Sequence, residues 1–451
     1  MLWYGKNKMK QRTPLEKGDS KLINAWAFYD WANSVYPLVI SSTVFPIYYS
    51  YISDEVSSIS FLGYDFKNTA LISFVTAMAF VVVAFNSPLL SGIADYIGNK
   101  KRFMKIFVYT GSLSCMGLYF FDLESIYLGM FFYFLALIGF WASLVFYNSY
   151  LPDIALPEQQ DLASAKGFSL GYIGSVLLLI FNLSMIMKPE WYGITGTPQE
   201  SSMQAMKCSF VAVGIWWALF SQYAFYHLPK GNNDNKVTKD ILWNGFLELK
   251  KVWKELHEYP ILKKFLPAFF VYSTALQTVV LIAAYFGEEE IAWQSAEQKT
   301  IGLIVSVLLI QIVAIFGAYT TALASKRFGN ISTLVVVNLI WAALCIYAFF
   351  IKTPKEFYTA AAGVGMVMGG IQALSRSTYS KLIPETRDTT SFFSFYDVTE
   401  KIGIIIGMAM FGTIDQITGS MRNAILFFLI LFISGALLLS RIPNKKVGQK
   451  I

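Results

Sequence analysis

Twelve apolar runs, each near the length of a bilayer-crossing helix, occupy most of this 451-residue chain. They lie at approximately 24–51, 68–92, 104–122, 125–150, 167–187, 206–228, 265–287, 299–324, 331–351, 356–382, 395–417 and 422–440. A hydrocarbon core about 30 Å thick takes ~20 helical residues to cross. With no water to satisfy backbone N–H and C=O groups there, each run must close its hydrogen bonds internally, as a helix does. The fold class expected is therefore an all-α integral membrane protein of twelve transmembrane helices. A water-soluble reading fails on charge: 14% of residues are charged, against roughly 25% in soluble chains.

The net charge of +7 does not indicate nucleic acid, because the basic residues sit in short segments between apolar runs. That is the distribution of loops facing an anionic leaflet, so membrane lipid is the expected contact. With both termini placed in the cytoplasm, 29 of the 36 Lys and Arg fall on the inner side and 7 on the outer. The bias sets the expected orientation in the cell membrane. Residues 1–23 form a polar, basic tail without an apolar signal core, so the first run is expected to remain in the mature protein. Cys115 and Cys345 fall within apolar runs and read as packing residues, and with Cys208 they form no disulfide framework.

The polar stretch 229–264 divides the runs into two sets of six, 24–228 and 265–440, with a tail at 441–451. The stretch opens on Gly231-Asn232-Asn233-Asp234-Asn235, a linker composition. It continues with Ile241, Leu242, Phe246, Leu249, Val252, Trp253 and Leu256 at helical spacing, and Lys250, Lys251 and Lys254 off that face. This reads as an amphipathic helix in the headgroup layer, with a partner-binding helix as the alternative. The two sets also echo each other. Tyr150-Leu151-Pro152-Asp153 and Leu382-Ile383-Pro384-Glu385 are 232 residues apart, and Ile97-Gly98-Asn99 and Phe328-Gly329-Asn330 are 231 apart. Parallel repeats place a solute site between the halves near mid-membrane.

After the second run comes Gly92-Ile93-Ala94-Asp95-Tyr96-Ile97-Gly98-Asn99-Lys100-Lys101-Arg102. Gly92 permits close helix packing and Gly98 a sharp turn. Asp95 stands where it can meet a cation or a helix N-terminus and weight one conformational state. The segment resembles the loop signature of the major facilitator superfamily, with Tyr96 in place of a basic residue. The second-half equivalent, Ser325-Lys326-Arg327-Phe328-Gly329-Asn330, keeps the charge and the Gly but has no Asp.

Further stretches narrow the resemblance: Tyr29-Asp30-Trp31-Ala32-Asn33-Ser34, Phe146 to Ala155, Gly167-Phe168-Ser169-Leu170-Gly171-Tyr172-Ile173-Gly174 and Gly370 to Ser377. They are similar to the vacuole-effluxer-like branch, called the unknown major facilitator family in bacteria, and span nearly the whole chain. The resemblance implies two six-helix bundles and a solute exporter, its fungal members being associated with amino-acid efflux. On the seventh run, Tyr272-Ser273-Thr274-Ala275-Leu276-Gln277-Thr278 lacks the carboxylate the branch tends to carry there, so no role for that group carries over.

Ionisable and amide groups within the runs are the site candidates, since they are costly in lipid. Asp30 and Asn33 lie on the first run, Asn148 on the fourth, Gln277 on the seventh, Gln372 and Arg376 on the tenth, and Glu400 and Lys401 on the eleventh. They are expected to form one polar layer toward the cytoplasmic side. Three readings are open: an inner gate of ion pairs, a solute or proton site, and side chains snorkelling to the interface. Asp30 and Arg376 are each expected about 9 Å along their helices from the inner end, and so to meet as a pair across the halves. His227 and His257 have no metal-ligand spacing, and no nucleotide-binding glycine loop is present. The function expected is secondary transport of a small solute, with a proton or other ion as a coupling partner and neither metal nor cofactor. A non-transporting receptor or scaffold on the same bundle is the alternative, and an enzyme is not expected.

Overall fold

The computed structural model describes residues 15–53, 59–61, 63–66, 68–230 and 240–443. The linker run Gly231–Asn235, most of the basic N-terminal tail and Lys445, Lys446 and Lys450 lie outside the described residues.

The first run is not one regular helix. α1 (Ser20–Asn33) passes into a wider, π-type stretch at Tyr36–Val44 and then α2 (Phe45–Ser53). Pro37 has no N–H to donate and its ring crowds the preceding turn. The Thr43 hydroxyl donates to the Leu38 carbonyl at 2.7 Å, satisfying an acceptor inside the irregular turn. A short hairpin, β1 (Ile59–Phe61) and β2 (Tyr64–Phe66), leads into α3 (Asn68–Ile97). Then follow α4 (Lys100–Gly117), α5 (Ile126–Asn148), the single turn α6 (Leu151–Ile154), α7 (Pro157–Met187) and α8 (Pro198–His227). α9 (Ile241–Glu258) lies in the central linker. The second half holds α10 (Pro260–Glu290), α11 (Ala296–Phe328), α12 (Asn330–Phe350), α13 (Pro354–Leu382), α14 (Thr389–Thr418) and α15 (Met421–Ser440).

Among the described residues ten helices are long and apolar enough to cross a membrane. The other two of the twelve expected runs are the broken first helix and α4. α4 is 18 residues long and opens on Lys100, Lys101 and Arg102. Several helices begin well before their apolar run. α7 starts at Pro157, with Pro at its first position where no N–H is needed. α8 and α13 start on reciprocal caps, Thr197 with Glu200 and Thr353 with Glu356. Their polar first turns therefore belong to the helix, not to the preceding loop.

Gly98 and Gly329 both have positive φ, 72° and 85°, at corresponding turns of the two halves. Buried apolar side chains gather in two large clusters, one running from Leu22 to Leu228 and one from Val252 to Ile442 with Tyr172 added, and a small third one of Ala165, Ala318, Ala322 and Ala373 lies between the halves. The halves meet along two seams: α7 lies on α11 and α13, and α14 lies on α3 and α5. Outward-facing apolar residues such as Phe85, Phe316 and Leu437 are exposed, as a lipid-facing surface requires. Cys115 and Cys345 are buried, as packing residues are.

α9 departs from a helix that only floats in the headgroup layer. Its Gly245, Val252 and Leu256 face inward, and Gly245 stacks so closely on α3 that a Cβ on Gly92 would overlap the Gly245 backbone and one on Gly245 would run into the Ile93 side chain. Lys251 then reaches Asp388 at the start of α14, 2.6 Å away. Leu242, Phe246 and Trp253 remain exposed on the outer face.

Candidate functional site

α1, α5, α7 and α13 converge on one guanidinium. Arg376 Nη2 lies 3.2 Å from Asp30 Oδ2, joining the halves by an ion pair. Arg376 Nε donates to Ser164 Oγ at 2.9 Å, Nη2 to the Ser164 carbonyl at 3.0 Å and Nη1 to Asn148 Oδ1 at 3.3 Å. Tyr147 donates its hydroxyl to Asp30 Oδ2 at 2.7 Å. The guanidinium carbon sits 4.2 Å from the Phe168 ring centroid and 4.7 Å from that of Trp26, a cation–π environment. Gly167 makes room for all of this: a Cβ there would run into Asp30 Oδ2 and lie 3.0 Å from Arg376 Nη2. Both charged side chains are almost wholly buried, at 4% and 7% exposure.

A second group forms around Lys401, which is fully buried. Its Nζ lies 2.5 Å from Asp397 Oδ1 and 3.1 Å from Glu400 Oε2, and 4.0 Å from the ring centroid of Trp141 on α5. Gln277 donates to Glu400 Oε1 at 2.6 Å. Asp397 Oδ2 is buried without a hydrogen-bond partner. Two carboxylates share one cation here, leaving one formal negative charge in excess.

The expected single polar layer is thus two separately hydrogen-bonded groups. α14 starts at Thr389, six residues before the apolar run, which puts Lys401 about 18 Å along its own helix by 1.5 Å per residue. By the same measure Asp30 lies about 15 Å along α1, which begins at Ser20. Gln372 joins neither group and instead accepts from Tyr172 of α7 at 2.9 Å. Asn33 is buried, but its amide nitrogen has no partner and its oxygen accepts only from Ser34.

The loop between α3 and α4 makes the contact with a helix N-terminus, not a cation. The Asp95 carboxylate accepts from the backbone N–H of Ser391 at 2.6 Å and Thr390 at 3.3 Å, in the first turn of α14. Free N–H groups and the positive end of the helix dipole both favour an anion there. Lys100 lies 2.5 Å from Asp153 and donates to Thr389 Oγ1 and to the Ser149 carbonyl, both at 2.9 Å. Lys101 donates to the Leu228 carbonyl at 2.7 Å. The second half, which has no Asp in its loop, borrows one from across the seam. Asp161 of α7 accepts from Asn330 at 2.9 Å and Ser325 at 3.1 Å, and lies 2.6 Å from Lys381.

Tyr147, Ser164, Asp161, Trp141 and Asp397 were not among the residues expected from the sequence. Asp397 carried a usable signal, since it stands four residues before Lys401 and so shares its helix face. Ser164 and Asp161 did not, lying in a polar stretch that reads as loop.

Over residues 18–450 the sequence matches the family described as Vacuole effluxer Atg22 like. The chain belongs to this family. It is 32% identical over 426 residues to the uncharacterized MFS-type transporter YxiO of Bacillus subtilis, covering 94% of this chain and 96% of that one. It is 27% identical over 300 residues to Autophagy-related protein 22 of Yarrowia lipolytica, covering 60% of this chain and 48% of the fungal protein. This chain therefore spans about half the length of that fungal relative. Among solved structures it resembles the major facilitator transporter FucP in the outward conformation, with a TM-score of 0.68 at 15% identity over 94% of this chain and 99% of that one. The proton:xylose symporter XylE gives 0.67 at 11% identity, over 94% and 96%. The fold is that of the major facilitator superfamily, and the protein is a multi-pass membrane transporter.

In this Atg22-like chain the family-like segments meet in space. Asp30, Tyr147, Asn148, Gly167, Phe168 and Arg376 come from four of them and form one contact group. On α10, which lacks that carboxylate, Gln277 donates to Glu400 of α14 at 2.6 Å and Tyr272 bonds Ser375 of α13 at 2.7 Å.

Proposed function

We propose that this protein is a secondary transporter that moves a small solute across the cell membrane by alternating access, with both termini in the cytoplasm. The first helix and α4 both cross, completing two six-helix bundles at 24–228 and 265–440. The reading rests on the Asp30–Arg376 ion pair, buried and shared between the halves. A buried ion pair costs desolvation that a well-packed apolar contact avoids. A static scaffold gains nothing from it, whereas a bundle that opens and closes needs a contact that can be exchanged for water or solute.

In this reading Asp30 and Arg376 close the cytoplasmic end, and Asp95 on the α14 N-terminus and Asp161 on the α12 turn weight the same closed state. The Lys401 group on α14 is the solute or proton site. Its lone Asp397 oxygen and its surplus negative charge suit a proton or the ammonium group of an amino-acid-like solute. The direction proposed is efflux, in keeping with the family's description. The test is counterflow of labelled amino acids, peptides, sugars and nucleosides in vesicles containing the purified protein. Saturable uptake lost in Arg376→Ala supports the proposal. No flux for any class, with the solutes still raising thermal stability, points to a receptor.

A further inference from the structure

Between the first turns of α4 and the last turns of α8 lies a cleft of about 840 Å³ that plays no part in the transport reading. Its polar lining includes Lys101, Arg102, Lys105 and Lys230 and no carboxylate. Lys101 is spent on the Leu228 carbonyl, and Lys105 Nζ lies 5.3 Å over the Phe225 ring. No ion pair among the described residues uses Arg102, Lys105 or Lys230. Tyr109 donates to Gln222 at 3.0 Å and ties the two walls together.

The same two helix faces change character away from the cations. On α4, Ile106, Tyr109 and Leu113 follow at spacings of three and four residues, and all are exposed. On α8, two turns back from the cationic end, Leu219 is exposed in the same way, at 61%. One end of the groove is thus cationic and the rest apolar and open to the side of the bundle. This shape suits a molecule with an anionic head and long apolar chains. A soluble anion would use only the cationic end. Basic pockets at the membrane interface between helices are physically suited to lipid phosphates.

We propose that this cleft binds an anionic phospholipid, its phosphate among Arg102, Lys105 and Lys230 and its acyl chains along Ile106, Leu113 and Leu219. Each cation near a membrane surface strengthens such binding roughly fivefold. The test uses the full-length protein in neutral detergent, titrated with dioleoyl phosphatidylglycerol and followed by native mass spectrometry. The wild type should retain the lipid in preference to dioleoyl phosphatidylcholine, less so as salt is raised. The triple variant Arg102→Gln, Lys105→Gln, Lys230→Gln should bind at least ~10-fold more weakly. The charge-retaining Lys105→Arg, Lys230→Arg should bind normally, which separates lost charge from lost fold. A control variant at the other turn, Lys326→Gln with Arg327→Gln, should also bind normally. Equal weakening in the control overturns the proposal in favour of diffuse surface charge. Equal retention of phosphatidylcholine, or a salt-insensitive adduct, overturns it as well. Displacement of the lipid by millimolar inorganic phosphate or glycerol phosphate also overturns it, making the cleft a site for a soluble anion.

Discussion

Arg376 on α13 and Asp30 on α1 stand 346 residues apart in sequence and 3.2 Å apart in space, and Ser164, Asn148 and Tyr147 occupy the hydrogen-bonding positions left around them. Removing one partner leaves a buried charge uncompensated, a loss of about 3–5 kcal/mol. Asp30→Ala and Arg376→Ala should each lower flux at least ~10-fold. If the pair is a closure, Asp30→Arg combined with Arg376→Asp should recover part of it. Arg376→Lys should stay impaired, because an ammonium cannot keep the fork to both Ser164 and Asp30. Full flux in both alanine variants would remove the pair from the mechanism.

The space for that pair depends on Gly167. Gly167→Ala should impair transport almost as much as losing Arg376, because the new methyl would clash with Asp30 Oδ2 and crowd Arg376 Nη2. Gly412→Ala, where nothing lies within 4 Å of the added carbon, should leave flux unchanged. Equal rates in the two variants would show that the pair tolerates displacement.

Asp95→Asn keeps an oxygen for the Ser391 N–H but loses the charge at the α14 N-terminus. Charge at a helix N-terminus is worth about 0.3–1 kcal/mol, rising to ~2 when partly buried. The variant should insert and fold normally while shifting the inward–outward balance by up to ~30-fold. Cysteine accessibility on the two sides of the bundle measures this. Unchanged accessibility together with unchanged flux would argue that Asp95 only packs.

Lys401→Gln leaves Asp397 and Glu400 facing each other without their cation. Its midpoint of thermal unfolding in detergent should fall, in keeping with a loss of about 3–5 kcal/mol. Adding Asp397→Asn should restore much of the midpoint, because the surplus charge goes with it. A double variant no more stable than the single would mean that packing, not charge, is what Lys401 supplies.

Orientation is testable apart from mechanism. In a cysteine-free background, Lys326→Cys should react with an impermeant maleimide only after the cells are opened. Labelling in intact cells would invert the assignment drawn from the 29 inner and 7 outer basic residues.

Ten membrane-length helices among the described residues were legible because hydrophobic length is a local property: a run is either long enough to span the hydrocarbon or is not. The turns at Gly98 and Gly329 were legible for the same reason, since a left-handed residue in a tight connection is written as glycine. Helix starts were not. Gln160, Asp161 and Ser164 form a polar stretch that hydropathy assigns to water, yet all three are buried in the first turns of α7. Asp161 and Ser164 are tolerated there because α11 and α13 supply Ser325, Lys381 and Arg376, and α12 begins with Asn330, while Gln160 donates to the Ala155 carbonyl. Position along a helix follows from where the helix begins, so Lys401 came out about 18 Å along α14 and in a group of its own. By itself the sequence determined where the apolar runs lie and which polar residues stand inside them, and among the described residues ten of those runs are helices long and apolar enough to cross a membrane. Only the packing of the two halves decided which of those residues meet, because hydrogen bonds and ion pairs act over about 3 Å and their partners lie hundreds of residues apart in the chain.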